Sequence, residues 1–265
     1  MIDYHIHLER GEYNSDWLEK FIKVGYQRGI EEFGIVEHLY IFKGTESLLY
    51  QNDHVKFMQT KNLDEYFSFL EKMKQKHNIK IGLEIDYVEE FEEKIKEFVK
   101  DLPVDFLIGS VHYIDGWAFD LDKDWANRNV REVYNKYYKT LLKAAKSGIF
   151  DILGHPGNIS YFGHKPNWDF EKPLVESFYQ DISNVDIVLE INSGGLYRPA
   201  KEVFPKKIWF ERLKELEIEV TCSSDAHDPK NVGWVINKEI IPALKSSGFN
   251  QLVTFDSRKK GYKAI

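Results

Sequence analysis

The chain alternates short runs of apolar, often β-branched residues with longer amphipathic stretches, and this rhythm constrains its fold most strongly. We predict strands at residues 2–5, 33–36, 79–84, 106–109, 152–154, 185–191, 218–222 and 252–255. Helical patterns lie between them, at residues 16–28, 63–77, 91–99, 130–147, 171–182 and 205–216. Alternating strands and helices predict a mostly parallel sheet, open or closed. No Gly-x-Gly-x-x-Gly follows the first strand, so we favour an α/β barrel over a dinucleotide-binding fold.

Composition narrows the classes of partner. With 265 residues and 43% hydrophobic content, the chain can bury one large core, and we predict a single domain over residues 1–265. Its net charge of −7 argues against a nucleic-acid or membrane partner. The lone cysteine, Cys222, excludes an intramolecular disulfide and favours a reducing compartment. No apolar run reaches the roughly 18 to 20 residues of a membrane span, and charged residues near the N-terminus are unlike a signal peptide. We therefore expect a cytoplasmic protein.

Polar residues with metal-ligand chemistry follow the predicted strands. Six of the nine histidines and several acidic residues lie there, and the candidate ligands among them are His5, His7, His38, His112, His155, His227, Glu84 and Asp225. Glu37, Asp86, Glu190 and Asn192 also lie at or just after strand ends. In a barrel all carboxyl ends of the strands meet on one face, where the loops build the active site. Imidazole and carboxylate are ligands of Zn, Fe and Mn. A lone His-x-His pair is as often structural as functional, so the predicted metal site depends on the whole constellation.

Other candidates are weaker. His54 and His77 are expected to be exposed and without function. His164 lies in the loop after the fifth strand, where a functional and a solvated role are equally compatible with the sequence. Cys222 lies within an apolar strand, where core packing is the more common role than metal binding.

Six motifs follow one another in the order Asp3-Tyr4-His5-Ile6-His7, Val36-Glu37-His38, Gly82-Leu83-Glu84, Gly109-Ser110-Val111-His112, Leu153-Gly154-His155-Pro156 and Ser223-Ser224-Asp225-Ala226-His227. Together they resemble the polymerase-and-histidinol-phosphatase (PHP) family across nearly the whole chain. Glu190-Ile191-Asn192 and the segment from Gly195 to Glu202 resemble the bacterial histidinol-phosphate phosphatase branch of that family.

The resemblance implies a distorted (β/α)7 barrel, so one of the eight predicted strands would lie outside it, with the metal site at the carboxyl ends of the strands. It also implies three divalent metal ions, Zn, Fe or Mn. The first would bind His5, His7, Glu84 and Asp225; Glu84 would bridge to a second at His112 and His155; and His38 and His227 would hold the third. Many members carry a further histidine where this chain has Tyr13. The neighbouring Glu12 is our candidate replacement ligand, the alternative being a solvent-facing loop glutamate.

The resemblance further implies hydrolysis of L-histidinol phosphate to L-histidinol and phosphate, a step of histidine biosynthesis. Two ions bridged by Glu84 would hold an attacking hydroxide, since metal binding lowers the pKa of water from about 15.7 toward about 7. We assign catalytic roles to Glu84, Asp225, His227 and Arg198. Arg198 would also clamp the phosphate in a bidentate manner, with His164 and Asn192 as further substrate-binding residues. Asp3 and Asn192 are candidates for orienting the metal-bound imidazoles.

Two alternatives stay open at this level. The same site could act on another small phosphomonoester or a nucleotide, although the acidic net charge disfavours a polynucleotide. The second alternative is that the chain forms a metal-stabilised barrel that acts as a binding module. The residue pattern indicates a small-molecule substrate and does not predict an oligomeric state.

Overall fold

A computed structural model describes residues 1–121 and 125–265. The strands are β1 (Ile2–Ile6), β2 (Glu32–Ile35), β3 (Ile79–Asp86), β4 (Phe106–Ser110), β5 (Tyr113–Ile114), β6 (Trp117–Ala118), β7 (Ile152–Leu153), β8 (Val188–Asn192), β9 (Val220–Ser223), β10 (Gln251–Asp256) and β11 (Lys259–Ala264). The α-helices are α1 (Ser15–Gln27), α2 (Asp53–Met58), α3 (Leu63–Lys74), α4 (Glu92–Val99), α5 (Val130–Lys146), α6 (Trp168–Ile182), α7 (Phe210–Glu215) and α8 (Ile241–Ser246).

Within the described residues, seven parallel strands form one sheet in the order β1-β2-β3-β4-β7-β8-β9. The two edges meet through Ala226, just after β9: its backbone N–H donates to the His5 carbonyl at 3.1 Å, and its carbonyl accepts from His7 N–H at 2.9 Å. The sheet therefore closes into the distorted (β/α)7 barrel that the family resemblance implied. The eighth predicted strand becomes β10, which pairs only with β11 outside the barrel.

The barrel strands are buried on both faces, which is why they read as continuous apolar runs rather than as an alternating pattern. Every residue of β1, β4 and β8 is buried. The surrounding helices bury one face each, and asparagines begin several of them. The side chain of Asn14 accepts from Trp17 N–H at 2.9 Å at the start of α1, and that of Asn62 accepts from Glu65 N–H at 3.1 Å at the start of α3.

The β10–β11 hairpin covers the amino-terminal ends of the strands. Phe255 packs against Tyr4 and Phe106, with ring centroids 6.5 and 6.2 Å away. The turn of the hairpin is held by Asp105, which accepts from Ser257 N–H at 3.1 Å, and by Asp151, which binds Arg258 at 2.9 Å. Asp105 and Asp151 each precede a barrel strand. One end of the barrel is thus closed, and the end that carries the histidines is left for ligands.

A short hairpin, β5–β6, follows β4 on the histidine side of the barrel. Among the described residues, no helix combines the length and apolar character needed to cross a membrane.

Candidate metal centre

His5 and His7 lie at the end of β1 and are both fully buried. Their side chains lie two residues apart on an extended chain and therefore point to the same side. The Nε2 atom of His5 is 3.1 Å from Oε2 of Glu84, and that of His7 is 3.4 Å from the same oxygen. The first two sequence-predicted ligands thus converge on the third.

Glu84 lies on β3 and is at the centre of the ligand cluster. Its Oε2 also lies 2.8 Å from Nδ1 of His38. Its Oε1 lies 2.9 Å from Nε2 of His155 and 3.8 Å from Nε2 of His112. Each oxygen therefore faces a different set of histidines, as a carboxylate bridging two metal ions would.

In the described chain, three groups of side chains bring potential ligand atoms within 4.8 Å of one another: His5, His7 and Glu84; Glu84, His112 and His155; and His7, Glu9, His38 and His227. Asp225 lies beside the first group, its Oδ1 3.7 Å from Nε2 of His7 and 4.0 Å from Nε2 of His5. The predicted first, second and third ligand sets are thus each brought together, with one exchange.

That exchange concerns Glu12. Its side chain is exposed and does not line the cleft over the ligands, and Glu9 takes the place beside the third group, with Oε1 3.6 Å from Nε2 of His227. The reason is local: Gly11 N–H donates to the Leu8 carbonyl at 2.9 Å, so the chain turns away directly after Glu9. A signal was present in the sequence, because His5, His7 and Glu9 continue the two-residue alternation of an extended chain.

Several buried polar atoms at this site lack a hydrogen-bond partner in the part of the chain that the structure describes: His5 Nε2, His7 Nδ1 and Nε2, Glu9 Oε2, Glu84 Oε2 and His155 Nδ1. Buried polar groups without partners are costly and uncommon in proteins. Burial and the neighbouring imidazoles of His227 and His38 hold the pKa of His7 well below its usual range. A neutral imidazole is the form that binds a metal. The donor set therefore fits metal ions better than it fits a network of hydrogen bonds.

Carboxylates behind the ligands orient two of the imidazole rings. Nδ1 of His5 lies 2.7 Å from Oε1 of Glu190, and Nδ1 of His112 lies 2.8 Å from Oδ1 of Asp86. An acceptor at Nδ1 fixes the ring and leaves Nε2 free for a metal. Sequence reasoning placed Glu190 and Asp86 at strand ends but assigned neither a role.

Asp3 holds the loop that carries Asp225 and His227. It accepts from Ser224 N–H at 2.8 Å and from Gly233 N–H at 2.7 Å, so it positions the backbone of this loop and not an imidazole ring. Asp225 has φ +53° and His155 has φ +27°, both in the left-handed region. Such conformations cost on the order of 1–3 kcal/mol each and persist only where surrounding contacts enforce them.

A cleft of about 210 Å³ opens above the metal ligands. Besides them it is lined by Arg10, Tyr40, His54, Met58, Asp120, Leu121, Asn158, Tyr161 and Arg198. The Arg198 guanidinium lies 5.2 Å from the ring centroids of both Tyr161 and Tyr197, and its Nε has no hydrogen-bond partner. This arrangement leaves Arg198 available to an anion.

Three placements differ from the sequence-based expectations. His164 is exposed and stacks on Trp125 at 4.9 Å, and it does not line the cleft. Asn192 is fully buried, donates to Glu190 at 3.1 Å and accepts from Gly194 N–H at 2.7 Å, so it positions Glu190 and does not line the cleft. His54, expected to be exposed, is half-buried and lines the cleft, because α2 folds over the site.

The sequence profile of the PHP domain family matches residues 3–194, more than half of the chain. The protein belongs to the PHP domain family. This confirms the resemblance carried by the strand-end motifs. Among curated PHP relatives, the histidinol-phosphatase of Lactococcus lactis is 24% identical over 100% of this chain and 98% of its own length. The probable histidinol-phosphatase of Deinococcus radiodurans is 27% identical over 76% of this chain and 78% of its own.

A solved structure shares this PHP barrel at a TM-score of 0.75 and 23% identity, covering 98% of both chains. It is the histidinol phosphate phosphatase of Lactococcus lactis in complex with zinc, L-histidinol and phosphate.

Proposed function

We propose that this PHP protein is a metal-dependent phosphomonoesterase that hydrolyses L-histidinol phosphate to L-histidinol and phosphate. The observation that carries the proposal is the position of Glu84 between two sets of histidines, with Arg198 in the same cleft. Similarity over the whole length to a histidinol-phosphatase supports the choice of substrate. So does the presence of L-histidinol and phosphate in the structurally similar enzyme.

The ligand groups would hold three divalent ions, Zn, Fe or Mn. His5, His7, Glu84 and Asp225 would bind the first, with Glu84 shared with the His112 and His155 site. The third would lie among His38, Glu9 and His227. When bound, such ions neutralise phosphoryl oxygens and activate water near neutral pH.

The protein's own side chains supply position and charge. Arg198 offers a planar fork that matches two phosphoryl oxygens and would hold the phosphate in the cleft. Glu190 and Asp86 keep the imidazoles of His5 and His112 oriented. The cleft volume of about 210 Å³ suits a small phosphomonoester, and Tyr40 and Met58 provide surface for its organic part.

We further propose that residues 1–265 act as one functional unit. Asp225 and His227 lie beyond the matched range 3–194, yet they complete the ligand clusters. A cytoplasmic location stays our prediction from the single, buried cysteine.

The proposal is tested by measuring phosphate release from L-histidinol phosphate, p-nitrophenyl phosphate and a dinucleotide, together with the metal content of the purified protein. We expect the highest kcat/KM on L-histidinol phosphate, loss of activity on chelation and recovery on addition of metal. Glu84→Gln should abolish activity, whereas the exposed Glu97→Gln should not alter it.

If the protein prefers a different phosphomonoester, the proposed substrate is wrong and the proposed reaction still holds. Bound metal without activity on any phosphomonoester would overturn the proposal in favour of a binding module.

A further inference from the structure

One carboxylate in the cleft stands outside the metal-ligand groups. In the described residues, the acidic side chains that line the cleft are Glu9, Glu84, Asp120 and Asp225. Glu9, Glu84 and Asp225 each face imidazole nitrogens. Asp120 has no ion-pair partner among the described residues, and its Oδ1 is buried without a hydrogen-bond partner. A buried carboxylate oxygen in this state is costly unless a ligand satisfies it.

The position of Asp120 is set by its neighbours. Phe119 N–H donates to the His112 carbonyl at 3.1 Å, and Leu121 N–H donates to the Ala118 carbonyl at 3.3 Å. The ring of Phe119 is fully buried and lies 5.7 Å from that of Tyr137. The backbone on both sides of Asp120 is thus anchored, and its carboxylate belongs to the built wall of the cleft. Burial raises the pKa of Asp120, which a nearby cation would counteract.

The charge of Asp120 decides which part of a substrate it can meet. A phosphate and a carboxylate repel each other, and the phosphate would be held by Arg198 and the metal ions of the proposed site. The part of the substrate that gains most from Asp120 is therefore one that carries positive charge. Tyr40 and His54, whose rings lie 5.8 Å apart, line the same cleft and offer flat surfaces to an organic group.

Building on the proposed function, we propose that Asp120 binds the ammonium group of the substrate's leaving alcohol and so makes this cleft selective for cationic phosphomonoesters. The carboxylate accepts a charge-assisted hydrogen bond from the ammonium, and the pair is stronger in the partly buried cleft than in water. Asp120 is then a specificity residue, which acts on the leaving alcohol and not on the phosphoryl group.

The test compares two substrates that differ only in the amine. One is L-histidinol phosphate, and the other is 3-(imidazol-4-yl)propyl phosphate, which keeps the ring, the chain and the phosphate. Asp120→Asn should lower kcat/KM for the amine-bearing substrate by about 10- to 100-fold, the worth of a hydrogen bond to a charged group. The ratio of kcat/KM between the two substrates should fall by nearly the same factor.

The matched control is Asp115→Asn. Asp115 lies on the turn of the β5–β6 hairpin that precedes Asp120, is exposed and pairs with Lys136. This substitution should leave the substrate ratio unchanged. Metal content is measured for each variant, because a loss of metal would lower the activity on both substrates.

An equal fall on both substrates would overturn the proposal, since it would assign Asp120 to proton transfer or to the metal site. No fall on either substrate would overturn it as well.

If the wild type hydrolyses neither imidazole substrate, the proposed function fails by itself. The role of Asp120 is then tested with two inhibitors of p-nitrophenyl phosphate hydrolysis: ethanolamine phosphate, which carries an ammonium group, and ethyl phosphate, which does not. Asp120→Asn should weaken only the ammonium-bearing inhibitor, and equal inhibition constants in both variants would contradict the role.

Discussion

The Nδ1 atom of His5 lies 2.7 Å from Oε1 of Glu190, while Nε2 of the same ring lies 3.1 Å from Oε2 of Glu84. One imidazole thus joins a carboxylate behind the site to the carboxylate at its centre. The pairing fixes the ring plane and leaves Nε2 directed at the cluster. Three further donors hold Glu190 in place: Ser223 Oγ, Asn192 Nδ2 and the backbone N–H of His155.

We predict that Glu190→Gln weakens metal binding without removing a ligand. Loss of such an orienting carboxylate lowers metal affinity by about 10- to 100-fold. Activity should fall at limiting metal and recover partly in excess metal, as a metal titration of the activity would measure. Glu215→Gln, an exposed residue paired with Arg212, is the control. Coincident titration curves for Glu190→Gln and the wild type would contradict the orienting role.

Glu9 and Glu12 provide a matched pair for the third metal group. We predict that Glu9→Gln reduces the bound metal per chain and lowers kcat, because Glu9 supplies a carboxylate beside His7, His38 and His227. The exposed Glu12→Gln should behave as the wild type. Elemental analysis of both proteins after dialysis measures the difference. Metal loss in the Glu12 variant alone would restore the original sequence-based assignment.

Arg198 should be sensitive even to lysine. A lysine keeps the charge but loses the planar fork and the contacts with Tyr161 and Tyr197. We expect Arg198→Lys to lower kcat/KM by about 10²- to 10³-fold, the range for removal of one donor to a developing oxyanion. Inhibition by inorganic phosphate should weaken in parallel. The surface variant Arg212→Lys serves as control, and full activity of Arg198→Lys would exclude a bidentate clamp.

Stability of the barrel should depend on Tyr66, which joins two strands from outside the sheet. Its hydroxyl lies 2.9 Å from the carbonyl oxygen of Ile35 and 2.7 Å from that of Gly82, which share its one proton, and the side chain is fully buried. We predict that Tyr66→Phe lowers the free energy of unfolding by about 1–3 kcal/mol, because it leaves buried acceptors unsatisfied. Urea denaturation measures this loss. Tyr26→Phe removes the same hydroxyl from a side chain that is 51% exposed and should cost much less.

The class of fold follows from local pattern. Continuous apolar runs separated by amphipathic stretches specify strands buried on both faces and helices outside them, so residues 2–5 and 106–109 were predicted close to their observed bounds. Closure of the barrel is different, because it depends on the pairing of His5 and His7 with Ala226, far apart in sequence. The same limit applies to residues 252–255, which have a strand pattern but pair only with β11.

The residues of the site also fall into two groups, those that local sequence pattern predicts and those whose position depends on tertiary packing. Ligands at strand ends could be predicted because parallel strands in a barrel bring their carboxyl ends to one rim, whatever the loops do. The position of His54 could not be predicted, because it depends on how α2 packs over the barrel. The outward position of His164 likewise depends on how its loop packs. Asn192 and Glu190 lie two residues apart and on the same side of β8, and only their hydrogen bonds show which one orients a histidine.

The sequence alone predicted the alternation of strands and helices, the rim of histidines and carboxylates, and the family. Each of these depends on local periodicity or on motifs a few residues long. The tertiary structure decided that Glu9 and not Glu12 stands beside His227, and that Asp120 lines the cleft with an Oδ1 that has no hydrogen-bond partner among the described residues. Both outcomes follow from turns and loops, whose direction is determined by packing between distant segments and leaves no period in the sequence.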